Sequence, residues 1–289
     1  MLGEIAAVGA VACWSWTAVF FTIASRSFGS WMVNVLRLLL GSCFLAATML
    51  CTGAPFTASD FQILMLGASG IIGLAIGDLL LFRSFVLMGP RLTMLVYTIS
   101  PALTAVLAWA FLSERIGWLG LAGMAVTLAG IVWTLNEKRN GGSVMNRLAV
   151  VYTILGALGQ AGGLILAKSA LNTGIPALPA TFLRMAAALL VVVACSPFTP
   201  HGRRLPQVRK ERKAFWALIG GAVFGPFLGV WLSQVAIKHT HTGIAATILS
   251  TTPIFLIPVS AWVEGERPTA KAGAGAVVAV AGVALLFLA

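Results

Sequence analysis

Arg37, Asp78 and Arg184 stand inside stretches that are otherwise oily. Insertion scales put a central Arg, Lys or Asp at about 2.5–3.5 kcal/mol unfavourable, so such groups need a partner or a task. Asn34 precedes Arg37 by one helical turn and Thr181 precedes Arg184 by the same step, which puts each pair on one helical face. A guanidinium facing a water-filled cavity would bind a substrate carboxylate in fork geometry. The plainer alternative is an arginine that snorkels to the interface or caps a helix. Asp78 has three open roles: a structural ion pair with Arg37 or Arg83, capture of a substrate ammonium, or proton uptake.

Uncharged polar groups add to this set. Thr93, Tyr97, Ser100 and Thr104 recur at i, i+4, i+7 and i+11, one polar stripe on an apolar cylinder, while Thr247, Ser250, Thr251 and Thr252 crowd the turn before Pro253. Gln160 and Gln234 are amides that require hydrogen-bond partners when buried. Trp14 and Trp231 line a cavity if they face inward, and serve as lipid-facing or belt residues if they do not. The candidate substrate cavity is therefore Trp14, Asn34, Arg37, Asp78, Tyr97, Ser100, Gln160, Arg184, Trp231, Gln234 and Thr251.

Pro101 and Pro253 each remove a backbone donor within an apolar run, which predicts a kinked helix, a hinge and a wall of the site. Glu114-Arg115 and Glu266-Arg267 close those runs and predict tight turns whose carboxylate caps the next helix.

Catalytic chemistry finds little support. His239 and His241 are close but lack an acidic partner, and no G-x-x-x-x-G-K-[ST] phosphate loop is present. Cys13, Cys43, Cys51 and Cys195 sit in or beside apolar runs without metal-ligand spacing and read as small packing residues. No catalytic group, metal site or cofactor is expected, and an enzyme is not.

The elements that must hold these groups follow from composition. With 59% hydrophobic and 9% charged residues, the chain lies far from the roughly 25% charged of soluble domains. Apolar runs of span length succeed one another at 2–24, 31–51, 61–86, 92–112, 116–135, 148–170, 177–196, 215–237, 243–263 and 269–288. The expected fold class is all-α integral membrane, ten transmembrane helices. The first run carries Glu4 where a signal peptide has basic residues, so it reads as a permanent helix.

The net charge of +11 resides in connections, which argues for membrane orientation and against a nucleic-acid partner. Arg26, Arg91, Lys138, Arg139, Arg147 and the Arg203–Lys213 cluster fall in alternate loops, so those loops should be cytoplasmic and both termini should face away. The cluster either orients the chain or also holds anionic lipid headgroups.

The chain repeats itself. At an offset of 152, Gly73 meets Gly225, Gly77 meets Gly229, Pro101 meets Pro253, Glu114 meets Glu266, Gly123 meets Gly275 and Gly130 meets Gly282. At an offset of 147, Asn34 and Arg37 meet Thr181 and Arg184. The units are residues 1–136 and 148–289, joined by 137–147. Five spans per unit is odd, so the second copy enters from the opposite side. Inverted repeats let two halves exchange shapes around a midplane site, as many transporters do.

The doubled pattern of Pro, apolar run, (Ser/Gly)-Glu-Arg and Gly-rich helix, at Pro101–Gly130 and Pro253–Gly282, resembles the two EamA domains of the drug/metabolite transporter superfamily. The run GDLLLFRSF at Gly77–Phe85 is also similar to that family's third helix. The resemblance implies a ten-helix permease exporting amino acids or other small metabolites, with import in some branches. Val230 at the place of Asp78, and Pro268 at that of Ile116, depart from the first repeat. The expectation is a secondary transporter of small amphipathic metabolites, amino acids first, in the inner (plasma) membrane. Its partners are the small-molecule substrate and membrane lipid, as a monomer or weak homodimer without nucleic acid. Alternatives are a multidrug or other metabolite permease, a channel or lipid scramblase, and an intramembrane enzyme.

Overall fold

A computed structural model describes residues 2–53, 57–112, 117–135, 146–199, 211–239, 248–249, 251–264 and 269–287. Among them no strand occurs, and ten helical rods account for nearly all of these residues. The first repeat has α1 (Leu2–Phe28), α2 (Ser30–Thr52), α3 (60–88), α4 (90–112) and α5 (Trp118–Leu135). The second has α6 (Arg147–Leu171), α7 (Ala177–Cys195), α8 (212–239), α9 (Thr252–Glu264) and α10 (Ala270–Phe287). Leu2–Phe28, Ser30–Thr52, Asp60–Tyr97, Arg147–Leu171 and Leu178–Phe198 are long and apolar enough to span a bilayer, and shorter apolar helices accompany them.

Local chemistry sets the helix ends. Ser59 and Gln62 form a reciprocal capping box that starts α3, with Ser59 N–H donating to Gln62 Oε1 at 2.9 Å. Asn146 Oδ1 accepts from Leu148 N–H at 3.0 Å and caps α6. Gly89, at φ 80° and ψ 165°, followed by Pro90, breaks the helical run into α3 and α4. The apolar faces left outward, with Leu50, Leu64, Phe111 and Leu190 exposed, suit lipid. Trp118, Trp216 and Trp262 are exposed near helix ends, where an aromatic belt belongs.

The repeat is visible as a pseudo-twofold contact. A Cβ on Gly130 would run into Ala279 and the Gly275 carbonyl, and a Cβ on Gly282 would run into Thr127 and the Gly123 carbonyl. Each partner lies 152 residues from its counterpart, since 279 − 127 = 152 and 282 − 130 = 152. Thr127 Oγ1 bonds the Ala279 carbonyl across this seam at 3.3 Å. Small residues let α5 and α10 approach backbone to backbone. A self-matching contact between equivalent helices requires a twofold relation between repeats, and five helices per repeat make that relation an inversion across the membrane.

The two halves are interleaved rather than side by side. Helix α3 packs on α6 and α7 of the other repeat, and α8 packs correspondingly on α1 and α2. Both crossing helices widen into a π segment, Gly70–Gly77 in α3 and Val223–Gly229 in α8, at matching places. The small-xxx-small glycines lie within or beside these segments: Gly73 and Gly77 face Gly156, Gly159 and Gly163 of α6.

The proline expectation needs correction. Helix α4 is interrupted at Thr98 and Ile99, and Pro101 occupies the first turn of Ser100–Leu112; Pro253 likewise occupies the first turn of Thr252–Glu264. There the missing N–H costs little, because first-turn donors have no intrahelical acceptor. The break precedes the proline, and threonine hydroxyls close it: Thr98 donates to the Leu95 carbonyl and Thr251 to the Ile248 carbonyl, each at 2.6 Å. Glu114, Arg115, Glu266 and Arg267, with their expected capping turns, lie outside the described residues, as do Thr247 and Ser250. Cys43, Cys51 and Cys195 are exposed on outer faces rather than packed inside. Arg91, expected in a connection, is buried.

Candidate substrate cavity

A cavity of about 470 Å³ lies where α1, α2, α3, α4, α6, α7 and α8 converge. Trp14, Arg37, Asp78, Tyr97, Gln160 and Arg184 line it, together with Thr17, Phe21, Phe82, Phe85, Met94 and Met185.

Arg37 and Asp78 form a buried salt bridge through Nη2 and Oδ2, with 6% and 7% of each residue exposed. Removing two charges from water is repaid only when the remaining donors and acceptors are also satisfied. Here neighbouring groups supply partners for Arg37 Nε and Nη2 and for both carboxylate oxygens. Arg37 Nε donates to Asn34 Oδ1 at 3.0 Å and Nη2 also donates to the Leu74 carbonyl at 3.2 Å. Asn34 Nδ2 donates to the Leu74 and Ala75 carbonyls at 3.2 and 2.9 Å. Those carbonyls belong to the π segment, whose altered hydrogen-bond spacing is a common feature of functional sites. The second carboxylate oxygen, Oδ1, accepts from Gln160 Nε2 at 2.5 Å. Phe82 closes the pair from one side, its ring 5.0 Å from the Arg37 guanidinium carbon. One carboxylate thus ties α2 and α3 of the first repeat to α6 of the second.

Arg184 is placed differently. Its backbone carbonyl lies so near Gly70 that a Cβ there would overlap it, so glycine alone permits this crossing of α7 over α3. Its guanidinium reaches the space over Gly73, beside Gln160 Oε1. Nε is buried without a hydrogen-bond partner among the described residues. Val230, at the position equivalent to Asp78, also lines the cavity and offers no charge. Among the described residues the charged lining therefore comprises two guanidiniums and one carboxylate.

Other expected residues are distributed around this centre. Asn34 is fully buried behind Arg37 and orients it without lining the cavity. Ser100 is buried and Thr251 half-buried outside the lining, and Pro101 and Pro253 are also outside it. The side chains of Trp231 and Gln234 lie outside the described residues. Arg83 is exposed, so Arg37 is the partner of Asp78. Trp16 packs edge-on against Trp262 with ring centroids 5.7 Å apart, away from the cavity. Sequence reasoning passed over Phe21, Phe82, Phe85 and Met94. A signal for Phe21 existed: Trp14, Thr17, Ala18 and Phe21 follow helical spacing on one face of α1.

The model of the EamA-like transporter family matches residues 1–136 and again 147–288. The chain belongs to this family. It is accordingly an integral, multi-pass membrane transporter of the drug/metabolite transporter superfamily, and the two matched segments are its EamA repeats. A solved crystal structure of a protein 17% identical has the same fold, with a TM-score of 0.65 over 96% of this chain and 94% of that one. No curated protein matches the chain.

Proposed function

We propose that this EamA-family transporter exports small amphipathic metabolites, amino acids first among them, by alternating access around the cavity at the junction of its repeats. The observation that carries this reading is Asp78, held simultaneously by Arg37 of its own repeat and Gln160 of the other, at the wall of the cavity. Rocking of one repeat against the other has to strain or remake that link, so cavity contents and repeat geometry are coupled. The lining suits an amphipathic guest, since it combines the charged groups with Trp14, Phe21, Phe82, Phe85 and Met185. The volume falls in the usual range for small-molecule sites, about 300–1,000 Å³.

Residence in an inner (plasma) membrane with both termini non-cytoplasmic, as a monomer or weak homodimer, completes the proposal. It includes no cofactor and no enzymatic step. A multidrug permease of the same fold is the second reading, favoured by the density of aromatic rings in the lining. Proteoliposomes preloaded with unlabelled compound decide between them. Saturable counterflow confined to amino acids supports the first reading, and counterflow of aromatic cations supports the second. Flux that neither saturates nor shows counterflow would remove the carrier mechanism altogether.

A further inference from the structure

We infer that Arg184 is the anchor for a substrate carboxylate, and that the cavity selects apolar-tailed monocarboxylates without reading an ammonium group. The inference rests on the carrier reading above and narrows its substrate class.

Three observations lead to it. First, the two arginines of the lining are unequal: Arg37 Nε and Nη2 are engaged by Asn34, Leu74 and Asp78, whereas Arg184 has a buried Nε with no hydrogen-bond partner among the described residues. A buried charged donor left empty loses hydration without compensation, and an incoming anion supplies it. Second, the position is constructed. Gly70 admits the Arg184 backbone into contact with α3, and the guanidinium lies beside Gly73 at the cavity wall, so the charge is aimed into the cavity rather than toward an interface. Snorkelling would direct it outward.

Third, the only carboxylate among the described lining residues is already taken. Asp78 gives one oxygen to Arg37 and the other to Gln160. A substrate ammonium would have to compete with both. Arg184 also feels the Asp78 charge at a distance, so a rival account has Asp78 transfer from Arg37 to Arg184 in another conformation. That account predicts no dependence of binding on a substrate carboxylate, which separates the two.

The test uses the purified full-length protein in detergent micelles, with binding followed calorimetrically. Probes are phenylalanine, 3-phenylpropionate, which keeps the carboxylate alone, and phenethylamine, which keeps the ammonium alone. Phenylpropionate should bind within about threefold of phenylalanine and phenethylamine at least about tenfold more weakly. Arg184→Gln should weaken both carboxylates by about 10- to 100-fold, the worth of a charge-assisted bond, and Arg184→Lys should recover part of the loss. Binding of phenethylamine as tight as that of phenylpropionate, absence of phenylpropionate binding, or an unaffected Arg184→Gln would overturn the anchor. Should Arg184→Gln fail to fold, the ranking of probes on the unaltered protein and Arg184→Lys carry the decision.

Failure of the anchor and failure of the carrier are distinguishable. Amino-acid counterflow that persists while phenylpropionate does not bind removes the anchor alone. Phenylpropionate binding without counterflow of any compound removes the carrier reading and leaves the anchor standing.

Discussion

A carboxylate taken out of water between an arginine and an amide is stable only as part of its set. Asp78 without Arg37, or Arg37 without Asp78, leaves an uncompensated buried charge, which typically costs about 3–5 kcal/mol. Asp78→Ala and Arg37→Ala should therefore each lower the melting temperature in detergent strongly. The double variant should be less destabilised than the sum of the two, because neither charge remains orphaned. A sum that is simply additive would show that the pair is not energetically linked. The sequence discloses these residues because a charge inside an apolar run is costly wherever it sits. It does not disclose the choice of Arg37 over Arg83, which depends on which face of α3 meets α2. Phe82 and Phe85 were illegible for a different reason: in a membrane helix an aromatic ring is equally at home in lipid and in a cavity wall.

Backbone approach governs the next scale. At Gly70 an added Cβ would overlap the Arg184 carbonyl, and neither backbone has a flexible end that can yield. Gly70→Ala should cost about 1–3 kcal/mol through overpacking and displace α7, seen as a lowered melting temperature with weakened substrate binding. Gly130→Leu and Gly282→Leu should destabilise to a similar extent, since they occupy equivalent sides of the α5/α10 seam. A large effect from one and none from the other would contradict the twofold relation there. Pro101→Ala is the contrasting case. A proline in the first turn of a helix replaces a donor that has no intrahelical acceptor, so the substitution should shift stability by no more than about 1 kcal/mol. The ten spans, their repeat and the close-packing glycines were readable from hydropathy and spacing. The π segments were not, because glycines four apart lie near one face at either the α or the wider π pitch, and only Pro226 within Val223–Gly229 hints at an irregular turn.

At the scale of the whole molecule the described residues pack differently at the two ends of the cavity. Around the end where α1 and α3 finish and α2, α4 and α8 begin, one apolar cluster joins both repeats: Phe21, Ala24, Val33, Phe82 and Phe85 from the first, Leu218 and Leu256 from the second. At the opposite end the described residues form two separate clusters, Leu66 with Ala167, Ala170 and Ala180, and Ala6 and Ala7 with Ala236. Among the described residues one plug joins both repeats at the first end, whereas the two clusters at the other share no member. Thr17 lines the cavity one helical turn before Phe21 and therefore reports on which end admits solvent. With Cys13, Cys43, Cys51 and Cys195 replaced, Thr17→Cys in oriented membranes should react with an impermeant thiol reagent from the face where α1 begins and be protected from the other. Adding Phe82→Ala and Phe85→Ala should breach the plug and permit reaction from both faces, since the two rings are part of the cluster that closes that end. Labelling of Thr17→Cys only from the face where α1 ends would reverse the assignment of the closed side. In the proposed orientation, with both termini non-cytoplasmic and the Arg203–Lys213 loop cytoplasmic, the closed side would be the cytoplasmic one. The conformation would then be the one from which an exporter releases its cargo, and saturating substrate inside sealed vesicles should shift the labelling toward the cytoplasmic face by mass action on the alternative conformation.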